Sequence, residues 1–197
     1  ISAIPQDLKF AGEDTTVVIG DNTTIRECVT INRGTVDKMT TKIGNNCLVM
    51  AYSHFGHDTI MGDNCVVANS VNIAGHVTIG DWAIIEGMVG VQQFTRIGKH
   101  AFVAGGSMVR KSVPPFVKAA REPISYVGVN SIGLRRRGYS NEQITNIEDV
   151  YRVVYVQNKN MTQALKIADL ELPNSQEKED ILSFINNETK GIMRGFN

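Results

Sequence analysis

Residues 43–109 read IGNNCLVMAYSHFGHDTIMGDNCVVANSVNIAGHVTIGDWAIIEGMVGVQQFTRIGKHAFVAGGSMV. A bulky apolar residue stands at every sixth position of this stretch: Ile43, Val49, Phe55, Met61, Val67, Ile73, Ile79, Ile85, Val91, Ile97, Val103 and Val109. A strict period of six fits neither an α-helix nor a simple strand alternation. It belongs to a solenoid built from short flat segments joined by tight turns. Four residues after each apolar position comes a compact one, such as Cys47, Ser53, Thr59, Cys65, Ala83 or Ala101. Gly recurs just after it, at Gly20, Gly44, Gly56, Gly62, Gly80 and Gly98, where the backbone turns tightly or needs positive φ. Every third hexad opens alike: Ile43-Gly44-Asn45, Met61-Gly62-Asp63, Ile79-Gly80-Asp81, Ile97-Gly98-Lys99. Three hexads therefore complete one eighteen-residue coil of a triangular parallel β-helix.

Upstream the same phase runs through Ile31, Ile25 and Ile19, broken only at Asp37. The chain opens on Ile1 in mid-coil, so further coils are expected before it. Downstream the period stops at Pro114-Pro115. The expected organisation is a β-helix over 1–118, a basic connector over 119–139 and an α-helical unit over 140–197. Ser140 with Gln143 forms a capping-box pair, followed by the stripe Ile144, Ile147, Val150, Tyr151 and Val154. A shorter amphipathic segment covers Met161 to Leu170, and Asn174 with Glu177 opens a further helix carrying Ile181, Leu182, Phe184 and Ile185. Such a helical end can cover a solenoid edge that would otherwise pair with another chain.

The 197 residues carry no net charge, and no apolar run of about 18 residues marks a membrane span. Cys28, Cys47 and Cys65 lack disulfide or zinc spacing, and Cys47 and Cys65 stack one coil apart; buried, reduced thiols in the cytoplasm are expected. Charge is uneven. From Arg96 to Arg137 nine Lys or Arg residues meet a single acid, Glu122, which points to an anionic partner. No aromatic interleaving or nucleic-acid motif accompanies the band. An acidic carrier protein or a nucleotide diphosphate fits it at least as well.

Within the ladder the polar chemistry gathers around His54, His57, Asp58 and His76. A coil of eighteen stacks His57 against Gly75, with strands about 4.8 Å apart. An imidazole base beside a backbone N–H suits acyl transfer, where an alcohol loses a proton while charge builds on a carbonyl oxygen. Asp58 can orient the imidazole. The competing view, histidines merely decorating a solvent-facing strand, is less favoured because two of them bracket Phe55 and a third follows one coil away.

The segments Gln6 to Glu13, Ile25 to Thr35, His54 to Asp58, Asn72 to His76, Gly128 to Asn130 and Leu134 to Gly138 resemble acyl-carrier-protein–UDP-N-acetylglucosamine O-acyltransferase, the first enzyme of lipid A biosynthesis, in collinear order. The resemblance implies a homotrimer of left-handed parallel β-helices with a helical C-terminal domain. It implies transfer of a 3-hydroxyacyl chain from the phosphopantetheine of acyl carrier protein to the sugar 3-hydroxyl, with no further cofactor and no metal. His57 then matches the general base and Gly75 the oxyanion donor. Asp7, His54 and His76 match contacts to the sugar and nearby phosphate; Gln93, Asn130, Arg136 and Arg137 match the nucleotide side. Gly105 matches the floor of the acyl groove. Gln92 and Ile132 depart from the family pattern, where His and an acidic residue are common. Three other readings stay open: a sister N-acyltransferase of the same pathway, a metal-dependent hydratase on this fold, and a non-enzymatic scaffold.

Overall fold

A computed structural model describes residues 1–157 and 160–195. The six-residue period becomes a triangular parallel solenoid whose strands are mostly two residues long, such as His54–Phe55 and Asn72–Ile73. Strands stack into three sheets, each made of every third strand. The ladder residue closes each strand and points inward: Ile31, Phe55, Ile73, Val91 and Val109 form one buried column of the third sheet. The compact residues four positions later are also buried, and several bond the neighbouring coil. Ser53 Oγ donates to Ala68 O at 2.9 Å and Thr59 Oγ1 to Ala74 O at 3.2 Å. Side chains too large for these sites would push the coils apart, because the core is only as wide as the triangle.

The recurring glycines work by close approach rather than by positive φ. A Cβ on Gly44 would lie 2.4 Å from Gly62 O, and one on Gly56 would lie 2.5 Å from Gly75 N. The left-handed conformation falls instead three residues after the ladder position, at Asn46, Tyr52, Asp58, Asn64, Ser70, His76, Trp82, Met88, Phe94 and His100. Each corner of the triangle is thus turned by one left-handed residue, usually not Gly, which surrounding contacts must stabilise.

The coil is not eighteen residues throughout. Thr24 pairs with Leu48, and Thr30 with His54, an offset of twenty-four, whereas His54 pairs with Asn72 at eighteen. The break in the ladder at Asp37 is therefore a whole extra hexad that leaves the coil near Gly34 and rejoins it near Thr40. Because the insertion is six residues long, the apolar phase continues on both sides.

The segment 119–139, expected to be a connector, is largely regular structure. Val117–Ala120 extends the second sheet, and Ser125–Val129 pairs with it antiparallel. Helix α1 covers Ser131–Arg136. Helix α2 (Asn141–Arg152) opens on the expected capping box, with Ser140 Oγ accepting from Gln143 N–H at 3.1 Å and Gln143 Oε1 accepting from Ser140 N–H at 3.0 Å. A π-helical turn, Val153–Gln157, continues it. Helices α3 (Met161–Glu171) and α4 (Gln176–Asn186) follow. The cap of α4 is Ser175, not Asn174; Asn174 instead accepts from the buried Lys178 ammonium at 2.8 Å. These helices lie against the last coil. Tyr151 Oη donates to Pro115 O at 2.6 Å, Arg96 stacks on Phe184, and Lys99 pairs with Asp180. Part of the basic band is thus neutralised inside the fold. Cys47 and Cys65 are buried free thiols as expected, but Cys28 is exposed.

Candidate active site

The first corner of interest lies between the third and first sheets, where the turn after Phe55 presents His57 and Asp58 and the turn one coil on presents Gly75 and His76. A Cβ on Gly75 would sit 2.7 Å from Cε1 and Nε2 of His57. Only glycine lets the imidazole come this close to the neighbouring backbone. His57 is 9% exposed, and its Nδ1 lies 2.8 Å from Asp58 Oδ2.

Asp58 is the anchor. It is fully buried, and its two oxygens also accept from Thr35 N–H (2.9 Å), Thr35 Oγ1 (2.6 Å) and Lys38 N–H (3.2 Å). Its own N–H donates to Thr41 Oγ1 at 2.8 Å. Burial alone would raise its pKa, but the Thr35 hydroxyl, His57, the Thr35 N–H and nearby His76 outweigh it and hold the carboxyl below its usual range. An ionised Asp58 can only accept, so His57 Nδ1 carries the proton and Nε2 presents its lone pair. That is the tautomer a general base requires.

The extra hexad supplies much of this support. Thr35 and Lys38 hold Asp58, and Asp37 Oδ2 lies 3.0 Å from His76 Nδ1. None of these three residues is marked as functional by its sequence alone, although the ladder break at Asp37 falls among them. His76 is further fixed by stacking on Phe94 (centroids 4.5 Å, 12°) and by an edge contact with His57 at 4.9 Å. Asp7 reaches the same spot: it, His57 and His76 each offer a donor atom within 4.8 Å of the others.

Two hollows are lined by residues of these turns and the strands beside them. One of about 260 Å³ is lined by Asp7, Lys9, Thr35, Asp37, His76 and Phe94. The other, about 720 Å³, runs over the outer face of the third sheet past His54, Asn72, Gly90, Gln92 and Met108. His54 Nδ1 bonds the Thr30 hydroxyl at 2.7 Å, and burial lowers its pKa, which favours the neutral ring. Gln93 is exposed one coil beyond Gly75. A further hollow of about 250 Å³ lies between Arg96, Lys99 and Phe184; the one carboxylate in its lining, Asp180, is paired with Lys99.

The remaining expected site residues lie at other corners of the same chain. Gly105 is on the corner between the second and third sheets, its N–H donating to Glu86 Oε2 at 3.0 Å, and a Cβ there would make a tight 3.3 Å contact with Gly87 O. Arg136 is exposed at the end of α1. Arg137 leans over Trp82 on the corner between the first and second sheets. Asn130 is buried, its amide committed to His100 O (3.0 Å) and to the Gly133 N–H at the start of α1 (3.3 Å). These two contacts make it part of the platform that carries the arginines. Ile132 is exposed beside them.

Residues 113–193 match the family model described as "Udp N-acetylglucosamine O-acyltransferase; Domain 2", and residues 40–75 match "Bacterial transferase hexapeptide (six repeats)". The chain is 57% identical over 185 residues to the acyl-[acyl-carrier-protein]–UDP-N-acetylglucosamine O-acyltransferase of Chlorobaculum tepidum, covering 93% of this chain and 70% of that protein. It is 55% identical over 196 residues to the protein of the same name from Chlorobium phaeobacteroides, covering 98% and 74%. Among solved structures, the UDP-N-acetylglucosamine acyltransferase of Bacteroides fragilis superposes with a TM-score of 0.97 at 50% identity, covering 98% of this chain and 76% of that one.

Proposed function

From the premise that the chain belongs to the acyl-carrier-protein–UDP-N-acetylglucosamine O-acyltransferase family, we propose how its own residues carry the reaction. The enzyme transfers a 3-hydroxyacyl chain from acyl carrier protein to the 3-hydroxyl of UDP-N-acetylglucosamine. His57 Nε2 takes the hydroxyl proton as that oxygen attacks the thioester carbonyl. Asp58 stabilises the imidazolium that forms. Gly75 N–H, which donates to no carbonyl among the described residues, meets the charge developing on the carbonyl oxygen. Collapse then expels the carrier thiolate, which takes the proton back from His57, so the base is regenerated.

The observation that carries this reading is the His57–Asp58 pair held against the Gly75 backbone. Asp7 and His76 stand beside His57, and His54 lines the outer face of the same sheet; together they supply polar contacts for a sugar. The arginines stand at a different corner of the triangle and cannot reach His57 within one chain. A homotrimer, in which a neighbouring copy brings Arg136 and Arg137 to the nucleotide, accounts for the separation. No helix among the described residues is long and apolar enough to cross a membrane, and the free cysteines suit a reducing cytoplasm.

An acyl-transfer assay with 3-hydroxyacyl carrier proteins tests the assignment. His57→Ala should lose about 10²–10⁴-fold in kcat, the usual contribution of a positioned base. UDP-N-acetylglucosamine binding by calorimetry should survive. Wild-type turnover in His57→Ala would remove His57 as the base.

A further inference from the structure

We infer that His100 is a positioning residue that aims Arg137 at an anionic group of the nucleotide sugar, an inference that rests on the nucleotide-side role proposed for Arg137. His100 occupies the left-handed corner position between the first and second sheets and is 8% exposed. Its ring is the middle of a column built by successive coils. Trp82 lies parallel on one side (6.3 Å, 2°) and Phe116 on the other (5.5 Å, 14°), while Tyr139 packs edge-on at 5.3 Å. Both ring nitrogens are engaged. Arg137 Nη1 lies 3.3 Å from Nδ1, and Tyr139 Oη lies 3.1 Å from Nε2.

A guanidinium can only donate, so Nδ1 must accept and the ring proton sits on Nε2, facing the Tyr139 hydroxyl. The imidazole is therefore neutral. Burial, Arg137 and Lys99 agree with this, pushing its pKa down to about 4. The consequence falls on Arg137. Its guanidinium is held by a neutral nitrogen on one edge and by the Trp82 face, with Cζ 5.2 Å from the ring centroid. No carboxylate pairs with it among the described residues. A half-buried arginine fixed by neutral partners keeps its charge and its other N–H groups for an outside anion. His100 also grips the base of this arrangement, because its carbonyl accepts from the Asn130 amide that caps α1.

Calorimetry with UDP-N-acetylglucosamine and steady-state acyl transfer test the inference. His100→Phe keeps the aromatic column and deletes the Nδ1 acceptor. It should raise Kd and KM for the nucleotide sugar by about tenfold, with kcat within about twofold, the size expected for one hydrogen bond to a charged group. His100→Asn, whose Oδ1 replaces Nδ1, should recover most of the affinity. Trp82→Leu, at a residue 39% exposed, removes the other support without touching the core and should weaken binding in the same direction. Arg137→Ala is the reference. If it leaves Kd unchanged, the nucleotide-side reading of Arg137 fails. If it weakens binding while His100→Phe and Trp82→Leu do not, or if His100→Phe lowers kcat instead of raising KM, the positioning role of His100 is overturned.

Discussion

Replacing Asp58 by Asn separates the chemistry of the site from its architecture. Asp58 Oδ1 accepts from the N–H groups of Thr35 and Lys38, and Oδ2 accepts from the Thr35 hydroxyl and His57 Nδ1. An asparagine keeps Oδ1 for the two backbone donors. Its Nδ2 then donates where Oδ2 accepted: the Thr35 hydroxyl turns to accept, and His57 Nδ1 must accept as well. The proton moves to Nε2, the nitrogen that should receive the sugar hydroxyl proton. All four contacts survive with two reversed, and the weaker bonds are offset by the smaller cost of burying a neutral amide than a carboxylate, so stability should fall by about 2 kcal/mol or less. Turnover, in contrast, should fall about 10²–10⁴-fold because the base is held in the wrong tautomer. Asp58→Ala is the counterpart. It strands the Thr35 and Lys38 N–H groups and should cost about 1–3 kcal/mol for each buried donor left unpaired. Acyl-transfer rates read beside melting curves distinguish the two. An Asp58→Asn protein that melts like the parent and turns over within about threefold of it would refute the tautomer argument.

Three further outcomes follow from the geometry. Gly75→Ala places a Cβ 2.7 Å from the His57 ring, so it should displace the base and lower kcat about 10²-fold or more, while Gly87→Ala, where the nearest atom is 3.3 Å away, serves as a milder comparison. Gly105→Met should shorten the preferred acyl chain; a chain-length profile across acyl carrier proteins that matches the parent's would sink the groove assignment. Lys178→Met deletes three bonds from one buried ammonium to Asp169 O, Leu172 O and Asn174 Oδ1, and should lower stability by about 1–3 kcal/mol in denaturant titrations without changing kcat.

The solenoid was legible because a narrow core writes its period directly into residue type, and the register of eighteen was enough to stack His57 on Gly75. Ser140 and Gln143 were legible because a capping box is local. What escaped the sequence depends on contacts between distant segments. The ladder break at Asp37 looked like a lapse, yet it is an excursion carrying Thr35 and Lys38 to Asp58. His100 occupies the same corner position as Asn46, Asn64 and Trp82, and nothing in its neighbours' types distinguishes a buried hub from a surface residue. The basic band read as free charge because the acids that neutralise Lys99 and Arg96, Asp180 and Glu188, lie 81 and 92 residues later. Helix α1 is too short to leave a periodic trace. The recurring glycines were rightly placed at turns, but their cause is crowding between coils, and a single chain's sequence does not record which backbone passes nearby.

One consequence of the two-residue strands concerns how independently the site can change. Almost every inter-coil backbone bond of the solenoid joins residues seventeen or nineteen positions apart, or twenty-three or twenty-five across the extra hexad, so each coil leans only on the coil before and the coil after. The proton-transfer machinery draws on the coils carrying Thr35, His57 and Gly75. The arginine platform stands at a different corner of partly the same coils, since Trp82 shares a coil with Gly75 and His100 shares one with Phe94, the ring that stacks on His76. Damage within a shared coil therefore reaches both groups, whereas damage in the helices beyond the last coil meets the arginine platform first. Substrate choice and catalytic step are threaded on one axis and separate most cleanly from its ends inward.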